Sequence, residues 1–162
     1  SIDAVPHLEG VVDRFRDSHP DADIRLDTPG ELWVRADDDL RRAVEELVEN
    51  ALEHDASRSP TVTVGAHVPE GRDGWAAIRI EDDGPGIHED EWQVITGEEE
   101  ISQLQHGSGL GLWLCRWIIE SYGGEIRGGD ADEGTEVVLL LRLAAPDEAA
   151  AENRREVETD AR

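Results

Sequence analysis

From about Asp38 to His54 the apolar residues Leu40, Val44, Leu47, Val48, Ala51 and Leu52 recur three and four positions apart. Only a helix with one buried face satisfies that period. Such a helix needs an apolar surface to lie on, and the chain supplies one in strand-like segments. PTVTVGAHV, residues 60–68, alternates as a half-buried strand does, and GWAAIRIED, residues 74–82, pairs with it through the polar turn PEGRDG. Two shorter strand candidates, DIRLDT and ELWVRAD, precede the helix and are joined by Pro29-Gly30.

Two further helices are expected. Val5, Leu8, Val11, Val12 and Phe15 have helical spacing within residues 4–17, and SHPDAD then breaks the pattern. GLGLWLCRWIIESYGG reads as a helix closed by glycine, with Leu110, Leu114, Trp117 and Ile118 facing inward. GEIRGG and TEVVLLLRLA form a hairpin, and residues from about Gly84 to Ser108 are irregular. The fold class that follows is an α/β two-layer sandwich: three main helices on one face of a mixed, mostly antiparallel sheet. Residues 1–144 make one domain, and the acidic polar tail, residues 145–162, is expected to be frayed or disordered.

Charge narrows the partners. The 162 residues carry 39 Asp plus Glu against 15 basic residues, all of them arginine, for a formal net charge of −24. Such a surface repels nucleic acid and anionic membranes. Abundant acid without lysine points to a salt-rich cytoplasm, where roughly molar salt shrinks the Debye length to about 3 Å; an ordinary acidic protein is the alternative. The single cysteine, Cys115, lies among apolar residues and is expected to serve as packing in a reducing interior. No apolar run approaches a membrane span, no signal peptide opens the chain, and a first residue of Ser fits a piece of a longer protein.

Three motifs carry chemistry. Glu46 and Asn50, one turn apart on the opening helix, project together beside the buried stripe, either as a solvated polar face or as a site. EDDGPGI, residues 81–87, ends a strand with acids and two glycines, which permits a surface turn or close approach of a ligand. HGSGLGLWL, residues 106–114, puts Gly107, Gly109 and Gly111 ahead of a helix, either as a hinge or as free N–H groups facing a phosphate chain. It lacks the lysine of a GxxxxGK[ST] loop and does not follow a strand.

In order, LRRAVEELVENALEH, EDDGPGI, GSGLGLWL and GGEIRGGDADEGTEVVLLL resemble the N, G1, G2 and final glycine boxes of the GHKL ATPases. The likeness is to the catalytic ATP-binding domain of sensor histidine kinases, in particular those of halophilic archaea, over about residues 4–143. The resemblance implies ATP and Mg²⁺ as cofactors, with Asn50 as the Mg²⁺ ligand, Asp82 accepting from the adenine amino group and Thr135 joining Asp82 through water. It implies a catalytic pair, Glu46 and Asn50, and further ATP contacts by His54, Gly84, Gly86, Ile87, Gly107, Ser108, Gly109, Leu110, Gly111 and Leu112, part of them in a mobile ATP lid. The implied reaction donates the γ-phosphoryl group to a histidine outside this chain, on dimerisation helices N-terminal in the full protein. A response regulator receives it next. The whole protein is expected to be a cytoplasmic homodimer.

Three departures accompany the likeness. Glu53 stands where the family often has lysine or arginine, the phenylalanine-containing box before the lid is unrecognisable, and none of the six histidines sits in a His-Glu-x-x-x-Pro box. Two other readings stay open: an ATP-hydrolysing switch of the gyrase and chaperone kind with Glu46 as general base, and a regulatory module that binds nucleotide or partner without turnover. The charge itself makes a prediction. Lowering KCl from molar to about 0.1 M lengthens the Debye length to about 10 Å, so thermal melts are expected to shift to lower temperature; a flat melting temperature would contradict the salt-adapted reading.

Overall fold

The computed structural model describes residues 1–54, 60–82, 107–130 and 135–144. The elements run β1 (Ile2–Asp3), α1 (Ala4–Ser18), β2 (Asp23–Asp27), β3 (Trp33–Val34), α2 (Asp39–His54), β4 (Thr61–His67), β5 (Trp75–Asp82), α3 (Gly107–Ser121), β6 (Glu125–Asp130) and β7 (Thr135–Arg142). The main sheet has the order β2-β4-β5-β7-β6. β2 pairs with β4 in parallel and every other pair in it is antiparallel. Alternation along β4, β5 and β7 sends Val62, Val64, Ile78, Ile80, Val137, Leu139 and Leu141 into one core with the apolar stripes of the helices. The expected two-layer sandwich, with three helices over a mixed sheet, is the observed one.

β2 and β3 do not form a hairpin, although Pro29-Gly30 stands between them. β3 pairs instead with β1. Asp3 explains the choice: its Oδ1 accepts from Val5 N at 3.1 Å, capping α1, and from Leu32 N at 2.9 Å. One carboxylate thus satisfies a helix N-terminus and ties the segment before β3 to the chain start, while the alternating apolar residues of β4 take up β2.

α1 and α2 bury the residues their sequence periods mark. α3 follows its expected phase at Ile118 and in part at Leu114, but not at Trp117. Its buried residues are Leu112, Cys115, Ile118 and Ile119, with Leu114 half-buried, whereas Trp117 is 59% exposed. LWLCRWII is apolar nearly all round, so composition alone leaves the rotation open. Packing against α2 and β6 decides it. The helix also begins at Gly107, two residues before the expected start, so the glycines lie within its first turns. Cys115 is fully buried, as packing requires. The tail from residue 145 lies outside the described residues, and among those described no helix is long and apolar enough to cross a membrane.

α3 ends where expected. Gly123 takes φ +74°, and Gly123 N and Gly124 N donate to Glu120 O and Ile119 O, each at 3.0 Å. Gly124 has a different constraint: a Cβ there would lie 2.5 Å from Leu140 O and 3.0 Å from Ile119 Cγ2. Backbone on one side and a core side chain on the other leave no room to give. Gly124→Ala is therefore expected to cost about 1–3 kcal/mol, as overpacking does; chemical denaturation checks it, and an unchanged midpoint would show that the β6 end of α3 moves freely.

Candidate functional site

The apolar stripe of α2 seats the helix on the sheet, and that rotation leaves Arg42, Glu46 and Asn50 in a row at four-residue steps, about 6 Å apart along the axis. Of these, Glu46 looks toward α3, which packs beside α2. Asn50 is only 8% exposed, and among the described residues its side chain has no hydrogen-bond partner. A buried unsatisfied amide costs about 1–3 kcal/mol, and its place beside a helix stripe of Val, Leu and Ala makes Asn50 a candidate ligand-binding side chain.

The second buried polar side chain belongs to Asp82, also 8% exposed, at the last position of β5. β5 alternates, so Ile78, Ile80 and Asp82 face the helices while Arg79 and Glu81 face the other way. Arg79 is taken up there by Glu136, at 2.8 Å, and by Glu81. Burial and the hydrogen bond with Glu136 hold the Glu81 carboxyl above its usual range. The two neighbouring acids of the EDDGPGI motif are thus divided between opposite faces of the sheet. Thr135 is the Cα partner of Asp82 across the β5–β7 ladder. Among the described residues, Asn50 and Asp82 are the only polar side chains in the buried set.

Glu46 reaches across to α3. Its Oε1 accepts from Arg42 Nε at 3.1 Å, and its Oε2 lies where a Cβ on Gly111 would approach to 2.5 Å. Burial, and then the Glu46 charge, push the Cys115 thiol far above its ordinary pKa, which places that charge on the α3 side. The side chain is 20% exposed, so its carboxylate sits at the edge of the helix pair rather than inside it. Gly111 and Leu112 fall in the early turns of α3, and Leu112 is buried beneath them. Gly107, Ser108, Gly109 and Leu110 form the first turn of α3, whose free N–H groups and positive end suit an anion.

The structure therefore brings Glu46 to Gly111 at the α2–α3 seam, buries Asn50 one turn further along α2, and puts Asp82 opposite Thr135. Gly84, Gly86 and Ile87 lie outside the described residues, as do the side chains of His54, Thr135 and residues 107–110. Sequence reasoning missed Arg42, whose signal was the four-residue spacing to Glu46. No cluster of three or more His, Cys, Asp or Glu suited to a metal occurs among the described residues. A hard cation that keeps water and phosphate ligands needs only one protein oxygen, and the unpartnered Asn50 carboxamide fits that demand.

Comparison with known proteins agrees with this geometry. A family model described as histidine kinase-, DNA gyrase B- and HSP90-like ATPase matches residues 35–145. Sensor protein IrlS of Burkholderia pseudomallei is 32% identical over 151 residues, which are 90% of this chain and 32% of IrlS. The methanogenesis regulatory histidine kinase FilI of Methanothrix harundinacea is 31% identical over 121 residues, covering 72% of this chain and 13% of FilI. The chain thus spans a third or less of these relatives' length. Among solved structures, a mycobacterial sensor histidine kinase, MprB, superposes with TM-score 0.72 at 25% identity, covering 88% of this chain and 95% of that one. The fold is that of an ATP-binding domain of the sensor-kinase type. The chain belongs to the histidine kinase-, DNA gyrase B- and HSP90-like ATPase family.

The Glu46–Gly111 contact is open to a direct test. Gly111→Ala obliges the carboxylate to swing away, and because that carboxylate ends a flexible side chain the backbone need not move. Alanine exceeds glycine in helix propensity by about 0.8–1.0 kcal/mol. The variant is expected to melt no lower than the parent while losing ATP turnover; a drop of many degrees would show Glu46 to be locked in place.

Proposed function

We propose that this chain binds Mg-ATP at the seam between α2 and α3 and donates the γ-phosphoryl group to a histidine outside it, on dimerisation helices of a longer homodimeric protein. A response regulator is the next acceptor, and the domain works in the cytoplasm. The observation that supports the reading is the burial of Asn50 and Asp82: among the described residues these are the buried polar side chains, and the family resemblance assigns both to ATP.

Asp82 accepts from the adenine amino group. A carboxylate has no proton to offer, so guanine, which presents an oxygen at that edge, is disfavoured. Gly84 and Gly86 let the base lie against backbone, and Thr135, opposite Asp82 in the ladder, completes that end through water. The phosphates run from there to Asn50 and the first turn of α3, whose N–H groups take the place of the cation that Glu53 does not supply. Asn50 would hold Mg²⁺, which when bound neutralises charge on the transferring phosphoryl group. His54, one turn beyond Asn50, adds a hydrogen bond, and Gly107, Gly109, Leu110 and Gly111 form the hinge and phosphate-contacting part of the ATP lid. Glu46, one turn before Asn50, prepares the incoming nucleophile as a base.

Calorimetric titration tests the binding half. Asp82→Asn and Asn50→Ala are each expected to weaken Mg-ATP roughly ten- to a hundredfold, the loss of a charged-acceptor bond or of a metal ligand; unchanged affinity in a folded variant removes that residue from its role. For the chemistry, γ-labelled ATP is supplied with the parent protein's histidine-bearing segment. Labelling of that histidine, falling about 10²–10⁴-fold in Glu46→Gln, is the expected result. Rapid phosphate release by the chain alone, abolished in Glu46→Gln and without histidine labelling, would make it a hydrolysing switch.

A further inference from the structure

The ion pair of Arg42 and Glu46 lies in the less favourable order for a helix, with the cation N-terminal to the anion, and a surface pair of this spacing adds little to helix stability. Helix stability therefore does not explain it. Its geometry does more. Arg42 Nε holds Oε1 of Glu46 at 3.1 Å and leaves Oε2 turned to Gly111, in the early turns of the helix that faces the phosphates. Glu46 has three side-chain torsions and would otherwise sample several rotamers, some of them pointing to solvent. In a chain with net charge −24, near an anionic nucleotide, a loosely held carboxylate would also be driven outward. Arg42 itself is 61% exposed, free to reach Glu46 without disturbing the core.

We infer that Arg42 is a positioning residue: it clamps the Glu46 carboxylate against Gly111, so that Oε2 is held at the phosphoryl-transfer end of the site. The inference rests on the role proposed above for Glu46. Arg42 acts through Glu46 and makes no contact with adenine, Asn50 or Asp82. Its loss therefore slows the chemical step and leaves nucleotide binding intact.

A mutant cycle on γ-labelled ATP tests this, counting phosphate released and histidine labelled together, so that kinase and hydrolase turnover are both read. Arg42→Ala is expected to lower kcat about tenfold, the size of coupling seen between neighbouring charged groups, with KM and the calorimetric Kd for Mg-ATP unchanged. Arg42→Lys, which keeps a donor to Oε1, is expected to restore most of the rate, and Arg42→Ala is expected to have no further effect in a Glu46→Gln background. Circular dichroism melts check that each variant folds. Full turnover by Arg42→Ala alongside impaired Glu46→Gln overturns the inference and leaves the role of Glu46 standing. Equal losses from Arg42→Ala in both backgrounds, or a weakened Kd, also overturn it, because Arg42 would then act independently of Glu46. Full turnover by Glu46→Gln removes the proposed base and the clamp with it.

Discussion

The seating of α2 is the constraint on which the rest of the structure depends. Leu40, Val44, Leu47, Val48, Ala51 and Leu52 are all buried along one side of the helix. Each Val or Leu buried there contributes about 1.5–3 kcal/mol, so turning the helix by even one residue, roughly 100°, would forfeit several such terms and put charges in the core. The rotation is therefore rigidly set by apolar contacts that have nothing to do with nucleotide chemistry. Arg42, Glu46 and Asn50 inherit their direction from it. Asn50 falls at the boundary of the stripe, close enough to be buried, while Glu46 falls where α3 passes and Arg42 where solvent begins.

A chain this acidic and without lysine must manage its second sheet face by other means than an apolar layer. Trp75, Ala77 and Leu140 form a small buried cluster there, on the side away from the helices. The guanidinium carbons of Arg72 and Arg142 lie 4.5 and 4.1 Å from the Trp75 ring centroid, so two planar cations cover the indole from water. Arg79 meanwhile neutralises Glu81 and Glu136. Stacking and forked pairing are arginine properties that a lysine ammonium does not reproduce. The same residue type thus shields an aromatic, absorbs acid pairs and, at Arg42, aims a carboxylate.

Much of the fold was legible because its signals are local. The stripes of α1 and α2 show the helical period, and the alternation of β4 and β5 with the turn between them announces a hairpin. Where local signals are weak, the reading stopped short. DIRLDT and ELWVRAD were legible as strands but their partners were not, because the Asp3 carboxylate ties the segment before β3 to the chain start and β4 takes up β2. Trp117 looked like core because it is large and apolar, but α3 has apolar residues on nearly every side and its phase comes from α2 and β6. Of the site, Asn50 and Asp82 were legible through the order of the motifs, not through their own surroundings.

By itself, then, the sequence determined the element types, the helical face that α2 buries and the family to which the chain belongs, since periodicity and motif order are properties of the chain. Only the tertiary structure decided which acid of Glu81 and Asp82 turns inward, because a strand's alternation has no sign until one face is packed. Only it brought Glu46 to Gly111, 65 positions later in the numbering, and so gave Arg42 something to aim. Contacts between distant segments depend on how two helices settle against a common sheet, and that is a balance of burial over the whole core rather than a property of any stretch of sequence.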